Sequence, residues 1–166
     1  MPEFFRRIEK ESALAEGFTF PVTKRHWGTA ITLDANTRVN LIHGEPSAHF
    51  HRLRTEEYIL YAGTMVVYRG KYFEGNLEKT VANLQGTPMK PGDKVVISPG
   101  TVHIPLTMGK DGAVFIEVSH GPYEDADIVR IYDQSGRNAE LVATWTKLGH
   151  KQGLSIKDLM KKMRGR

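Results

Sequence analysis

The feature that most limits how this chain can fold is a long middle section of short β-prone runs, cut at regular intervals by turn-forming residues. From residue 18 to about residue 133, stretches rich in Val, Ile, Thr and Tyr alternate with Asp34-Ala35-Asn36, His43-Gly44-Glu45-Pro46, Ala62-Gly63, Arg69-Gly70, Gln85-Gly86, Pro91-Gly92-Asp93 and Pro99-Gly100. β-Branched and aromatic side chains suit a pleated, half-buried surface, while Gly, Pro, Asn and Asp supply the backbone angles of tight turns. Many short strands with regular turns build a sandwich or a barrel, so the expected class is all-β. The flanks read differently. Phe4, Phe5, Ile8 and Leu14 stand at helical spacing among charged residues, as do Ala139, Leu141, Val142 and Trp145, and Ser155 is a natural N-cap for a helix over 156–163. The expected organisation is an N-terminal helical extension over residues 1–17, a barrel over 18–135 and a C-terminal helical segment over 136–166.

A length of 166 residues suits one domain with one sizeable core. The chain has no cysteine, which excludes disulfides and thiolate ligands and leaves only nitrogen and oxygen to hold any metal. The first residues carry no apolar segment of signal-peptide character, and no run approaches the roughly eighteen apolar residues of a membrane span. A cytoplasmic protein without membrane contact is the expectation. The net charge of +4 owes much to Lys147, Lys151, Lys157, Lys161, Lys162, Arg164 and Arg166 near the C-terminus. Without interleaved aromatics this reads as a solvated helix face, and no nucleic-acid partner is expected.

The chemistry-bearing residues cluster in the β-rich section. Residues two apart in a strand share a face, so His49-Phe50-His51 directs both imidazoles to one side and Phe50 to the other. After a turn over residues 52–55, a second strand puts Glu56, Tyr58 and Leu60 on one face and Glu57, Ile59 and Tyr61 on the other, until Gly63 reverses the chain. Pro91-Gly92-Asp93 leads into the apolar run of residues 94–97, and Pro99-Gly100-Thr101 turns again before His103, which is expected to come from a separate hairpin. Three histidines and a carboxylate form a hard, mixed nitrogen and oxygen set suited to one divalent transition metal: Mn, Fe, Zn, Co or Ni.

These residues stand in a pattern that resembles the cupin superfamily. Gly44-(x4)-His49-x-His51-(x4)-Glu56-(x6)-Gly63 is similar to its first motif, and Gly92-(x6)-Pro99-Gly100-(x2)-His103 to its second, over roughly residues 27–121. The second motif departs from the common form, because Gly100 directly follows Pro99 and no Asn follows at the usual distance. The resemblance implies a single cupin β-barrel, a double-stranded β-helix or jelly roll, with metal ligands His49, His51, Glu56 and His103. Glu57 is the alternative carboxylate, and the count to Gly63 favours Glu56. It also implies a homodimer, in which residues 2–16 could contribute to the interface.

Two further stretches resemble the cupin domain of type II phosphomannose isomerases. One is Lys24-Arg25-His26-Trp27-Gly28, expected to precede the first strand. The other runs Phe115-Ile116-Glu117-Val118-Ser119-His120-Gly121-Pro122-Tyr123, with Asp127-Ile128-Val129-Arg130 and Gly136-Arg137 behind it. Arg54-Thr55-Glu56 is similar to that family's Arg-x-Glu beside the metal. The loop between His51 and Glu56 is two residues longer than in that family, nearer the form of cupin glucose-6-phosphate isomerases and D-lyxose isomerases. The resemblance thus implies a metal-dependent aldose–ketose isomerase acting through an enediol, on mannose 6-phosphate, glucose 6-phosphate or a lyxose-like sugar.

Such a reaction needs a general base near the metal. Glu117 is the first candidate, because in a strand over 113–119 it shares a face with Phe115 and Ser119, and apolar surroundings raise a carboxyl pKa. Glu57 is the second. A sugar phosphate needs cations at the rim, for which Lys24, Arg25, Arg54 and Arg130 stand in suitable motif positions, and Tyr58 shares a face with Glu56 and could bind a hydroxyl. The same four metal ligands would also serve an Fe(II) dioxygenase, and a non-catalytic sugar-binding cupin is the third reading.

Overall fold

The computed structural model describes residues 20–122 and 124–132. The expected helical segments over 1–17 and 136–166 lie outside the described residues. Between them run β1 (Val22–Arg25), β2 (Gly28–Thr32), β3 (Thr37–Ile42), β4 (Ala48–His51), β5 (Thr55–Gly63), β6 (Met65–Lys71), α1 (Leu77–Ala82), β7 (Gln85–Met89), β8 (Lys94–Ile97), β9 (Thr101–Thr107), β10 (Ala113–His120) and β11 (Ile128–Tyr132). The strands form two antiparallel sheets: a six-stranded sheet in the order β1-β2-β3-β10-β5-β8, and a five-stranded sheet in the order β11-β4-β9-β6-β7. The all-β expectation holds. No helix among the described residues is long and apolar enough to cross a membrane.

The alternation of side chains along each strand divides the interior into two ends. One is filled by Ile42, Tyr58, Leu60, Met65, Val67, Met89, Val95, Ile97, Ala113 and Phe115, with Trp27 packed against them. The other end is polar and holds the histidines. A second apolar cluster of Ala48, Val102, Ile104, Leu106, Ile131 and Tyr132 takes the opposite strand positions of β4, β9 and β11, and Leu77, Val81 and Leu84 of the α1 region join it. The helix was not expected within the β-rich section. Its signal is nevertheless local: the Asn76 side chain accepts the Lys79 backbone N–H at 2.8 Å, a regular N-cap, and Leu77, Thr80 and Val81 recur at helical spacing on the buried side.

Gly63 ends β5 at a position that only glycine tolerates. Its φ is +85°, and a Cβ there would stand 2.4 Å from the Gly112 carbonyl oxygen. Two connections differ from expectation. Lys24 and Arg25 belong to β1 rather than to a segment before the first strand, because β1 pairs with β2 in a hairpin turning at His26 and Trp27. The run of residues 94–97 and the strand carrying His103 do not form a hairpin: β8 pairs with β5 in one sheet, whereas β9 crosses to the other, pairing with β4 and β6. Gly100, where its N–H donates to the His51 carbonyl at 2.7 Å, is the crossing point.

Candidate metal centre and cavity

That crossing places His103 directly beside His49 as a cross-strand partner on β4 and β9. His51 follows on the same face of β4, and the three rings gather with centroids 4.4 to 5.7 Å apart. Glu56, at the start of β5 in the facing sheet, closes the group: Oε1 lies 2.9 Å from His51 Nε2 and Oε2 lies 3.1 Å from His103 Nε2. One ligand atom from each of His49, His51, Glu56 and His103 lies within 4.8 Å of the others. Apart from His49, which is half-buried, all are at least 98 % removed from solvent.

The hydrogen-bond pattern shows which atoms are presented inward. His49 Nδ1 lies 2.9 Å from the Ser47 carbonyl and His103 Nδ1 lies 3.0 Å from the Thr101 carbonyl. A carbonyl can only accept, so both Nδ1 atoms carry a hydrogen, and each ring turns its Nε2 toward the cluster. His51 Nδ1 faces the Asp127 carboxylate, 3.2 Å from Oδ2. Asp127 Oδ1 in turn accepts the Leu53 backbone N–H at 2.8 Å, fixing the carboxylate against the loop before β5. A carboxylate behind a histidine is a recurrent support of metal-ligating imidazoles.

The electrostatics favour the ligating forms. Burial holds His49 well below the usual histidine range, and His103 adds to this, so the ring stays neutral. Burial would raise the Glu56 carboxyl, but its contacts with the His103 and His51 imidazoles outweigh that and hold it well below the usual carboxylate range. The approach of His103 Nε2 to Glu56 Oε2 at 3.1 Å does not reach hydrogen-bond geometry, a costly state for a buried polar atom. The Nε2 atoms of two rings and a carboxylate thus face one another at 2.9 and 3.1 Å, close to the roughly 3 Å between adjacent ligands of an ion bound at about 2.1 Å. The residues fit a divalent metal ion, and the donor set alone does not choose among Mn, Fe, Zn, Co and Ni.

A cavity of about 210 Å³ opens from this cluster, walled by both sheets. Register explains its six-stranded wall. Thr32 pairs with Arg38, Arg38 with Glu117, and Glu117 with Tyr58, so four side chains form one inward row across β2, β3, β10 and β5. All four line the cavity, as do Asn40 and Glu56. Tyr58 donates its phenol hydrogen to Glu56 Oε2 at 2.9 Å, and Asn40 Nδ2 donates to Glu117 Oε2 at 2.8 Å. Burial, reinforced by the Glu56 charge and opposed by Arg38, Arg54 and the Asn40 hydrogen bond, raises the Glu117 carboxyl to about 7. Burial and the Glu56 and Glu117 charges push the Tyr58 phenol well above its ordinary value, so it remains a donor.

Of the expected site residues, the structure brings His49, Arg54, Glu56, Tyr58, Glu117 and Arg130 to the cavity wall, with His51 and His103 in the metal cluster beside it. Arg54 is 3 % exposed, with Nη2 2.9 Å from His51 Nε2 and 3.0 Å from Glu56 Oε1. Two expectations are not met. Glu57 points to the opposite side of β5, where it pairs with Lys94 at 3.0 Å, because neighbours in a strand face opposite ways. Lys24 is exposed and does not line the cavity, whereas Thr23 and Arg25 on either side of it do. Arg38, Asn40 and Asp127 were not anticipated as site residues. Asp127 stood inside a recognised motif without a role, and nothing local marks Arg38 or Asn40.

No family model matches the sequence, and no curated protein matches it. Solved structures match in fold. The capsular polysaccharide assembling protein CapF of Staphylococcus aureus superposes with a TM-score of 0.56 at 14 % identity, over 77 % of this chain and 39 % of CapF. The oxalate decarboxylase of Lactobacillus farciminis superposes with a TM-score of 0.56 at 14 % identity, over 84 % of this chain and 40 % of that one. The chain spans about two fifths of the length of these proteins. With two antiparallel sheets facing each other across an inward-turned His-x-His, Glu and His, the described residues have the cupin fold.

Proposed function

We propose that the protein is a metal-dependent aldose–ketose isomerase acting on a sugar or sugar phosphate, of the glucose 6-phosphate, mannose 6-phosphate or lyxose type. The observation that carries this reading is the pairing of two unlike carboxylates in one cavity: Glu56 held ionised among the histidines, and Glu117 raised to about 7 across the row from Tyr58. Divergent carboxyl environments mark a division of labour, here a ligand and a general base.

When bound by His49, His51, Glu56 and His103, a divalent ion would supply charge stabilisation to the sugar oxygens as the enediol develops. The rest falls to the chain's own side chains. Glu117 takes the proton from C2, the electron pair of that C–H bond becomes the C1–C2 double bond, and the π pair of the C1 carbonyl moves to O1, which takes up a proton to give the enediol. The O2 hydroxyl then gives up its proton, balancing the one gained by O1, its electron pair forms the C2 carbonyl, and the C1–C2 π pair takes the proton back from the same carboxyl at C1. Asn40 orients Glu117 through its hydrogen bond to Oε2. Arg38, next to Glu117 in the row, and Arg25 and Arg130 at other points of the wall provide cationic partners for hydroxyls or a phosphate. A homodimer remains part of the proposal.

The test is exchange of the C2 proton with solvent deuterium. Metal-stripped protein reloaded separately with Mn(II), Fe(II), Co(II), Ni(II) and Zn(II) is mixed with free and phosphorylated aldoses and followed by NMR. Exchange with at least one sugar is expected; its absence with every sugar and metal would reject isomerisation and turn attention to the dioxygenase and binding-protein readings.

A further inference from the structure

The outer face of the six-stranded sheet is covered along one strip and exposed on both sides of it. The alternation that turns Arg38, Asn40 and Glu117 inward turns Ile31, Val39, Leu41 and Val114 outward. Ile31, Leu41 and Val114 form an apolar cluster with Val39 and Ala62, and these three are only 2 to 5 % exposed. Every member of the cluster belongs to the sheet itself. Toward either edge the same face opens: Val22 on β1, the cross-strand partner of Ile31, is 49 % exposed, and Val96 on β8 is 46 % exposed. Among the described residues the helix α1 joins the apolar cluster of the other sheet.

An apolar sheet face this far removed from water needs a layer over it. The strip gives that layer's size. β2, β3 and β10 are consecutive strands, so the strip measures about 10 Å from its first strand to its last, the diameter of a single α-helix with its side chains. Two segments flank the described residues, and the N-terminal one arrives on this face: the Pro21 carbonyl accepts the Thr32 N–H at 2.9 Å, next to Ile31, and Val22 points outward. The C-terminal one departs from the other sheet, since Tyr132 at the end of β11 belongs to the cluster that includes residues of α1. Phe4, Phe5, Ile8 and Leu14 stand at helical spacing. A helix over residues 2–16 would be roughly 22 Å long, against roughly 20 Å for the six residues of β3.

We propose that residues 2–16 dock on their own sheet as one amphipathic helix along β2, β3 and β10, seating Phe4, Phe5, Ile8 and Leu14 on the cluster of Ile31, Val39, Leu41 and Val114. The docked segment backs the strands whose inner faces carry Arg38, Asn40 and Glu117, and so holds the register that joins Asn40 to Glu117. The docking is independent of the metal and isomerase readings, and both stand if it fails.

The chain has no cysteine, so introduced pairs report proximity without background. Val39→Cys is combined in the whole chain with Phe5→Cys, Ile8→Cys or Leu14→Cys, and separately with Trp145→Cys. Dilute protein is oxidised with copper phenanthroline, and the bonds are read by non-reducing electrophoresis and peptide mass. A disulfide within one monomer is expected for at least one N-terminal pair and none for the pair with Trp145→Cys. Disulfide-linked dimers of the N-terminal pairs would give the seat to a second copy, a bond through Trp145→Cys alone would give it to the C-terminal segment, and no bond in any pair would give it to neither; each overturns the proposal. Ile8→Asp decides even where the cysteine pairs fail to fold. Its amide hydrogen exchange should quicken by about tenfold or more in β2, β3 and β10 while β6 and β9 are unchanged, because only the covered strip loses its layer. Equal acceleration in both sheets, or none in either, overturns the docking.

Discussion

The two walls of the cavity are built on different principles. The histidine wall belongs to the five-stranded sheet and is assembled from neighbours: His49 and His51 lie two residues apart on β4, His103 is the cross-strand partner of His49, and two of the three rings are oriented by a carbonyl two residues earlier in the chain. The opposite wall belongs to the six-stranded sheet and is charged. Its central hydrogen bond joins Asn40 to Glu117, 77 residues apart, and its row Thr32, Arg38, Glu117 and Tyr58 exists only because four strands hold one register. The first wall gathers three imidazoles at one point. The second places an adjustable acid among arginines, so metal affinity and proton transfer should be separable by mutation.

The sharpest separation is expected from Glu117→Gln. The amide keeps the size and the contact with Asn40 but cannot take a proton. Deuterium exchange at C2 should fall by about 10²- to 10⁴-fold, the usual range for losing a general base, while bound metal is unchanged. Equal loss of metal and exchange would show that the two walls do not act independently.

Asp127→Asn tests the place where the histidine wall depends on a distant residue. Asp127 touches His51 Nδ1 at 3.2 Å and also holds the Leu53 N–H, 74 residues away in sequence. Replacing it should weaken metal binding by about 10- to 100-fold, the scale typical of outer-shell carboxylates. Equilibrium dialysis with Co(II) would measure it, and an unchanged affinity would reduce Asp127 to a loop anchor.

The contrast also explains what could be read in advance. His49-x-His51, Glu56, Tyr58 and the division of β5 into two faces follow from the two-residue period of a strand, so a single segment was enough. The inward placement of Glu117 was legible for the same reason. Arg38 and Asn40 were not, because what brings them to Glu117 is the pairing of β3 with β10, and a one-residue slip would turn both away. The strand pairing of β9 is not legible in the sequence because Pro99-Gly100 looks like a hairpin turn, whereas it carries the chain from one sheet to the other. The helix α1 is hidden between two strong strand runs, although its N-cap and apolar spacing are present in the sequence.

Glu117 should also leave a mark on the stability of the metal-stripped protein. Its carboxyl is raised from 4.5 to about 7, chiefly by burial. In the folded state it therefore binds a proton that the unfolded chain has already released between these values. Its contribution is fully present below about pH 4.5 and is lost as pH rises toward 7. About 1–3 kcal/mol of pH-dependent stability is expected over that window, reduced from the full shift because the side chain keeps contact with the cavity solvent. Urea unfolding across the window should show this slope in the wild type and a flatter one in Glu117→Gln. A slope of opposite sign would mean that the arginines, not burial, govern this carboxyl.

The smallest effect is expected on the far side of β5. Glu57 is the chemical twin of Glu56 and its immediate neighbour, yet it pairs with Lys94, whose side chain is 54 % exposed, on the face away from the cavity. A solvent-screened pair of this kind contributes little, so Glu57→Gln should shift stability by no more than about 0.5 kcal/mol. Metal affinity and C2 exchange should stay within about twofold of the wild type, since a removed charge on the outer face is screened by solvent before it reaches the cavity. Glu56→Gln, by contrast, exchanges a ligating carboxylate for a neutral amide and should abolish tight metal binding. If Glu57→Gln lowered exchange as strongly as Glu117→Gln, the strand would have to present its other face to the cavity in solution, and the assignment of Glu56 as the ligand would have to be exchanged with that of Glu57.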